Sequence, residues 1–243
     1  MPARAIINGV IDLVADLDPH SSALDVSCRN GEVARELLRR GFAVRGTNFD
    51  RGLPPLDGIP VDEDVDLTRG LPYPDSSFDL VVMTEVLEHL DNHRAAIGEL
   101  ARVLRPGGHL VITTPNIMRL DSRLGFLLSG MHKVKRRLIP LDTPLAEAYR
   151  YHNYPITLAM LFYLMRANGL ALERIGHGKV KPIGYVLYAL LYPIVALDTG
   201  YRLMMREGRK GGGEALGELR HWMTNRRVLI EDNLILRACK ASR

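Results

Sequence analysis

Cysteine is scarce in this chain, with only Cys28 and Cys239, far apart and at no ligand-like spacing. A disulfide framework and a cysteine-based zinc site are therefore excluded as organising elements, and a reducing cytoplasm is the expected compartment. No clustered cysteine and no acidic triplet of clear spacing occurs, so no metal is expected. No uninterrupted apolar run reaches the roughly twenty residues of a membrane span. The opening MPARAIINGVIDLVADLDPH carries Asp12, Asp16 and Asp18, which leaves it without the apolar centre of a signal peptide; a helix packing on the domain is expected instead. Aromatic residues make up 6% and tryptophan occurs once. No aromatic-basic recognition motif appears, so nucleic acid is not the expected partner despite the basic pI of about 9.1.

What is present suits one domain over residues 1–243 with two insertions, 117–154 and 177–227. The net charge of +4 conceals an asymmetry: the insertions carry net +4 and +5, so the remainder is net −5. Basic charge gathered outside the core favours an anionic acceptor or surface there, or is a pair of solvated loops.

The chain is organised around residues 61–116. Phe78–Thr84 reads as a buried strand, followed by an acidic turn with Glu85. A helix then buries Ala96, Ile97, Leu100, Val103 and Leu104, a Pro106-Gly107-Gly108 stop ends it, and Leu110–Thr114 is a second strand. A strand–helix–strand crossover makes the two strands parallel neighbours. Glu85 and Thr114–Asn116 then lie at the carboxyl edge of the sheet, where open α/β folds bind ligands.

The segments LPYPDSSFDLVVMTEVLEHL and RVLRPGGHLVITTPN, with SSALDVSC upstream, resemble the ordered motifs of class I S-adenosylmethionine-dependent methyltransferases over roughly two-thirds of the chain. The resemblance implies an α/β, Rossmann-like seven-stranded sheet with helices on both faces and strand order 3-2-1-4-5-7-6. It implies S-adenosyl-L-methionine as cofactor, with contacts from Asp25, Ser27, Cys28, Arg29, Gly31, Asn48, Phe49, Asp66, Leu67 and Glu85.

Two departures stand out. The family's LDxGxGxG turn, where glycines let the backbone bend and approach the cofactor, is LDVSCRNG here, with Ser27 and Arg29 at the first two glycine positions and Gly31 at the third. Arg29 helps only by pairing with the cofactor's carboxylate. The acid that usually accepts from the ribose hydroxyls is Asn48, with Asp50 two residues on, so weaker anchoring is expected. Asp66 matches the residue that receives the adenine amino group, or caps a turn. Asp79, inside FDLVV, is read as structural.

His89 lies at the mouth of the site. An imidazole's ordinary pKa near 6.5 suits a general base, and a packing role is the alternative. Residues 117–154 form a lid over the acceptor, whose run Lys133-Val134-Lys135-Arg136-Arg137 either meets phosphate or is hydrated. Tyr149, Tyr151, His152 and Tyr154 follow it, and His152 is the second candidate base. Pro155 is expected to open a helix, Ile156–Ala167, before strands at Leu170–Ile175 and Val228–Cys239.

Between these strands, PIGYVLYALLYPIVAL (182–197) is too short to span a bilayer and contains Pro193. It is read as a buried helix or as an interfacial helix whose flanking cations meet lipid heads at the inner face of the membrane, with contact through 182–206. Residues 206–213 form a basic link, and Trp222 fits a core or an interface. The expected function is methyl transfer, most simply to oxygen, onto a small or lipid-linked acceptor. A non-catalytic binding module on the same fold is the alternative, motivated by Ser27, Arg29 and Asn48.

Overall fold

The computed structural model describes residues 3–134, 138–207 and 213–242. Lys135, Arg136, Arg137 and most of the basic link at 206–213 thus lie outside the described residues. One sheet carries seven strands: β1 (Ser22–Val26), β2 (Ala43–Thr47), β3 (Val61–Asp62), β4 (Phe78–Thr84), β5 (Leu104–Pro115), β6 (Leu170–Ile175) and β7 (Asn233–Lys240). Their order is β3-β2-β1-β4-β5-β7-β6, as expected. β1 to β5 pair in parallel, and β7 runs antiparallel to both β5 and β6.

Because successive side chains of a strand point to opposite faces, β4 serves two cores. Leu80 and Val82 meet Val10 and Leu37 under α1 (Arg4–Leu13) and α2 (Glu32–Arg39). Val81 and Met83 meet Ile97, Leu100 and Leu161 under α3 (His93–Val103) and α5 (Leu158–Ala167). Asp79 ties β4 to β1: its Oδ2 accepts from the Ser22 backbone N–H at 2.9 Å and from the Ser22 hydroxyl at 2.6 Å. The helix expected to stop at Pro106-Gly107-Gly108 ends at Val103, and that segment lies within β5, where the register with β4 slips between Phe78 and Leu80.

Two boundaries differ from expectation. α5 starts at Leu158, because the Thr157 hydroxyl accepts from the Met160 N–H at 3.2 Å and caps it. Val228–Ile230 belongs to a short helix, α8 (Arg226–Ile230), capped by Asn225. β5 pairs with β7 only as far as Pro115 opposite Asn233, so strand earlier than Asn233 would have no partner in β5.

Among the described residues, the two segments expected as insertions carry helices. Residues 117–154 form α4 (Leu120–Ser129) and a 3-10 turn, Leu145–Arg150. The second insertion forms α6 (Pro182–Gly200), continued as π-helix to Glu207, and α7 (Gly213–Met223). α6 packs Leu187, Tyr188, Leu191, Tyr192 and Val195 against Leu120, Leu229 and Ile230. On its other side Ile183, Val186, Leu190, Ile194, Leu197 and Tyr201 form a bare stripe at helical spacing, from 50% exposed at Ile183 to 76% at Leu197. The helix runs on through Pro193, so Pro182–Leu203 is a 22-residue stretch long and apolar enough to cross a membrane by composition. The reading of this segment as too short is corrected to that extent. Trp222 packs on the main core, its indole N–H 3.4 Å from Glu218.

Candidate active site

β1 delivers the chain into a turn in which Ser27 (φ 57°), Arg29 (φ 48°) and Gly31 (φ 65°) are all left-handed. The glycine-type backbone therefore survives the loss of two glycines, although each non-glycine residue in this region costs about 1–2 kcal/mol. The end of β2 holds the strained turn. Ser27 N–H donates to the Thr47 hydroxyl (3.2 Å), Cys28 N–H to the Thr47 carbonyl (2.9 Å), and Arg29 N–H to Asn48 Oδ1 (2.7 Å). Gly31 caps α2, and a β-carbon there would run into the Leu56 side chain.

The Asp25 side chain is buried beside the start of α2. Desolvation pushes its carboxyl up to about 7, against a backbone hydrogen bond from Ala34 that favours the charged form. Burial likewise pushes the Cys28 thiol up to about 12, so it is no nucleophile. The Arg29 guanidinium turns outward to Asp50, 3.6 Å away. Asn48, expected at the ribose, spends its carbonyl oxygen on Arg29.

Farther along this edge, Phe49 is half exposed and meets the Tyr149 ring edge-on at 5.5 Å. Asp66 caps a turn, accepting from Thr68 N–H (2.9 Å) and the Thr68 hydroxyl (2.7 Å) while pairing with Arg69 at 3.1 Å. Leu67 is buried beneath it. An open groove of about 770 Å³ passes Phe49, Val65, Asp66 and Arg69.

At the ends of β4 and β5, Glu85 is left-handed (φ 54°). One of its oxygens accepts from the Thr113 hydroxyl (3.0 Å), and Asn233 Nδ2 lies 3.1 Å from both. Glu88, in the 3-10 turn Leu87–His89, is fully buried. Its Oε2 accepts from the Thr114 hydroxyl at 3.2 Å, while nothing among the described residues hydrogen-bonds Oε1. Desolvation first, and the neighbouring Glu85 charge second, hold its carboxyl well above the usual range.

Beside it the structure brings together the two histidines, His89 and His152, with ring centroids 4.8 Å apart and planes at 89°. His89 Nδ1 donates to the Tyr149 carbonyl at 2.6 Å, and Tyr154 N–H donates to the Glu88 carbonyl at 3.1 Å. The segment bearing His152 is thereby strapped to the turn bearing Glu88 and His89. Tyr149 serves both ends of the site, since its hydroxyl also lies 3.4 Å from Asp50. Glu88 and Asn233 escaped sequence reasoning. The one available signal for Glu88 was a second acid three residues after Glu85.

Comparisons with known proteins bear on the family and the fold. The family described as methyltransferase domain matches residues 3–173. The 27-O-demethylrifamycin SV methyltransferase of Amycolatopsis mediterranei is 34% identical over 99 residues, covering 37% of this chain and 36% of that protein. The ubiquinone biosynthesis O-methyltransferase of Marinobacter nauticus is 31% identical over 144 residues, covering 49% of this chain and 58% of that protein. Both alignments thus span less than two-thirds of the relative's length. Among solved structures, a SAM dependent methyltransferase from Archaeoglobus fulgidus superposes with TM-score 0.58 at 15% identity, covering 97% of this chain and 93% of that one. Phosphoethanolamine N-methyltransferase 2 of Haemonchus contortus, in complex with S-adenosyl-L-methionine, gives TM-score 0.56 at 13% identity, covering 97% and 52%. These likenesses carry the fold. With the family match over more than half its length, this chain belongs to the methyltransferase domain family, in its S-adenosylmethionine-dependent class.

Proposed function

We propose that the protein methylates an oxygen of a small or lipid-linked acceptor bound at the ends of β4 and β5, beneath residues 117–154. The carrying observation is the pair of imidazoles, His89 and His152, fixed at this edge by the Tyr149 and Tyr154 hydrogen bonds. Since a carbonyl only accepts, His89 carries its proton on Nδ1, which makes Nε2 the basic nitrogen.

The residues fit the cofactor. The left-handed turn at Ser27, Arg29 and Gly31 keeps the backbone shape that suits its amino-acid end, next to buried Asp25 and Cys28. Asn48, Phe49, Asp66 and Leu67 would flank its nucleoside end, and Glu85 its methionine end. When bound, S-adenosylmethionine supplies a methyl group on a sulfonium sulfur. The protein's part is to hold the acceptor oxygen in line, exclude water and let His89 or His152 take the hydroxyl proton as the O–C bond forms.

The retained turn geometry also weakens the binding-module alternative, whose motive was the lost glycines. Among the described residues, some cations of the insertions are paired, Arg119 with Asp121 and Asp232, Lys181 with Asp232, and Arg202 with Asp198. The bare stripe of α6 supports an apolar, membrane-associated acceptor. The test is transfer of label from methyl-labelled cofactor into the organic-soluble fraction of a cell extract. Base-resistant label is expected for an ether. Label released by mild base would instead mark a carboxylate acceptor, which needs no general base. Sedimentation with anionic vesicles checks the membrane contact, and wild-type protein left in solution would end that part of the reading.

A further inference from the structure

Three side chains at this edge form a set that their sequence spacing hides. Glu88, His89 and His152 each offer one ligand atom, all within 4.8 Å of one another. Resting on the reading of this edge as the acceptor site, we propose that the three bind a divalent first-row transition-metal ion through Glu88 Oε1 and one ring nitrogen of each histidine.

Two histidines and one carboxylate suit zinc or iron(II) and leave coordination positions open for a further ligand. The surroundings are those of a supported ligand set. The Tyr149 carbonyl fixes the His89 ring and tautomer, and the Thr114 hydroxyl orients Glu88 through its other oxygen. The independent sign is Glu88 Oε1 itself, an oxygen of a fully buried side chain without a hydrogen-bond partner among the described residues, in a carboxyl group that offers a ligand atom within 4.8 Å of those of the two imidazoles. Leaving such an atom unsatisfied is costly, and a cation answers it directly. Bonds of about 2.0–2.2 Å to all three require side-chain shifts of roughly an ångström.

An ion there would hold the acceptor oxygen and make its hydroxyl proton easier to lose to water. The imidazoles would then serve as ligands in place of a base.

The test is titration of the EDTA-treated full chain with Co²⁺, followed by its visible absorption, alongside adenosylhomocysteine binding by calorimetry. The expected result is saturable uptake of a single equivalent, weakened at least tenfold in both Glu88→Gln and His152→Ala, with adenosylhomocysteine affinity unchanged. The two substitutions guard against one variant misfolding, and circular dichroism checks each. No Co²⁺ uptake by wild type, or equal uptake by both variants, overturns the proposal. So does uptake abolished only by Cys239→Ser, which would place the ion among His109, Glu173 and Cys239. Co²⁺ uptake without adenosylhomocysteine binding supports the metal site while overturning the cofactor reading.

Discussion

The two halves of the carboxyl edge treat their polar groups in opposite ways. At β1 and β2 they are spent on the protein: Asn48 holds Arg29 N–H, Asp50 faces Arg29, and Asp66 caps its own turn. At β4 and β5, Glu88 Oε1 is buried without a hydrogen-bond partner among the described residues, in a side chain next to two imidazoles. The first half has traded glycine freedom for a strained but well-tied backbone. The second stores unsatisfied polar chemistry. A site that must grip one constant ligand and react with another is expected to divide its labour in this way.

The largest effect that would sharpen this contrast is on turnover. His89→Ala and His152→Ala should each lower the methyl-transfer rate about 10²- to 10⁴-fold, with adenosylhomocysteine affinity held within roughly twofold. Parallel losses in rate and cofactor affinity would break the division.

Next comes Asp25. Its folded pKa of about 7 lies above the ordinary value of 3.8, so the fold retains a proton that the unfolded chain gives up. That contribution is harmless below about pH 4 and turns progressively against folding as pH rises through 7, by up to roughly 4 kcal/mol. Asp25→Asn should therefore match wild type near pH 4 and exceed it in stability near pH 8, measured by urea unfolding. An advantage that does not grow with pH would contradict the assignment.

Gly31→Ala follows, with a loss of about 2–4 kcal/mol from left-handed strain and collision with Leu56. The smallest effect runs the other way. Arg29→Gly should stabilise by up to about 1 kcal/mol, releasing strain at the expense of an exposed ion pair worth little. Chemical unfolding of both variants measures these changes, and destabilisation by Arg29→Gly would mean that the turn is not strained.

The strands β1, β4 and β5 were legible because burial on both faces leaves apolar runs bounded by clear turns, whereas the strand order came from the family resemblance. The helix at Val228–Ile230 was not, since three apolar residues fit strand or helix and only the end of β5 at Pro115 decides. α6 was half legible: its composition announced an apolar helix, but which stripe stays bare depends on where Leu120 and Ile230 come to lie. At the site, the family motifs located the turn and Glu85. The meeting of His152 with Glu88 and His89 depends on the path of the chain between β5 and α5, which no local spacing encodes.

The central claim is that the altered turn still cradles the cofactor. Thermal unfolding with S-adenosylmethionine and with adenosylhomocysteine, each near a hundredfold its dissociation constant, tests it most directly. The account predicts stabilisation of about 2.7 kcal/mol by both, a rise in Tm of roughly 5–10 °C for a chain of this size. No shift with either ligand would contradict it.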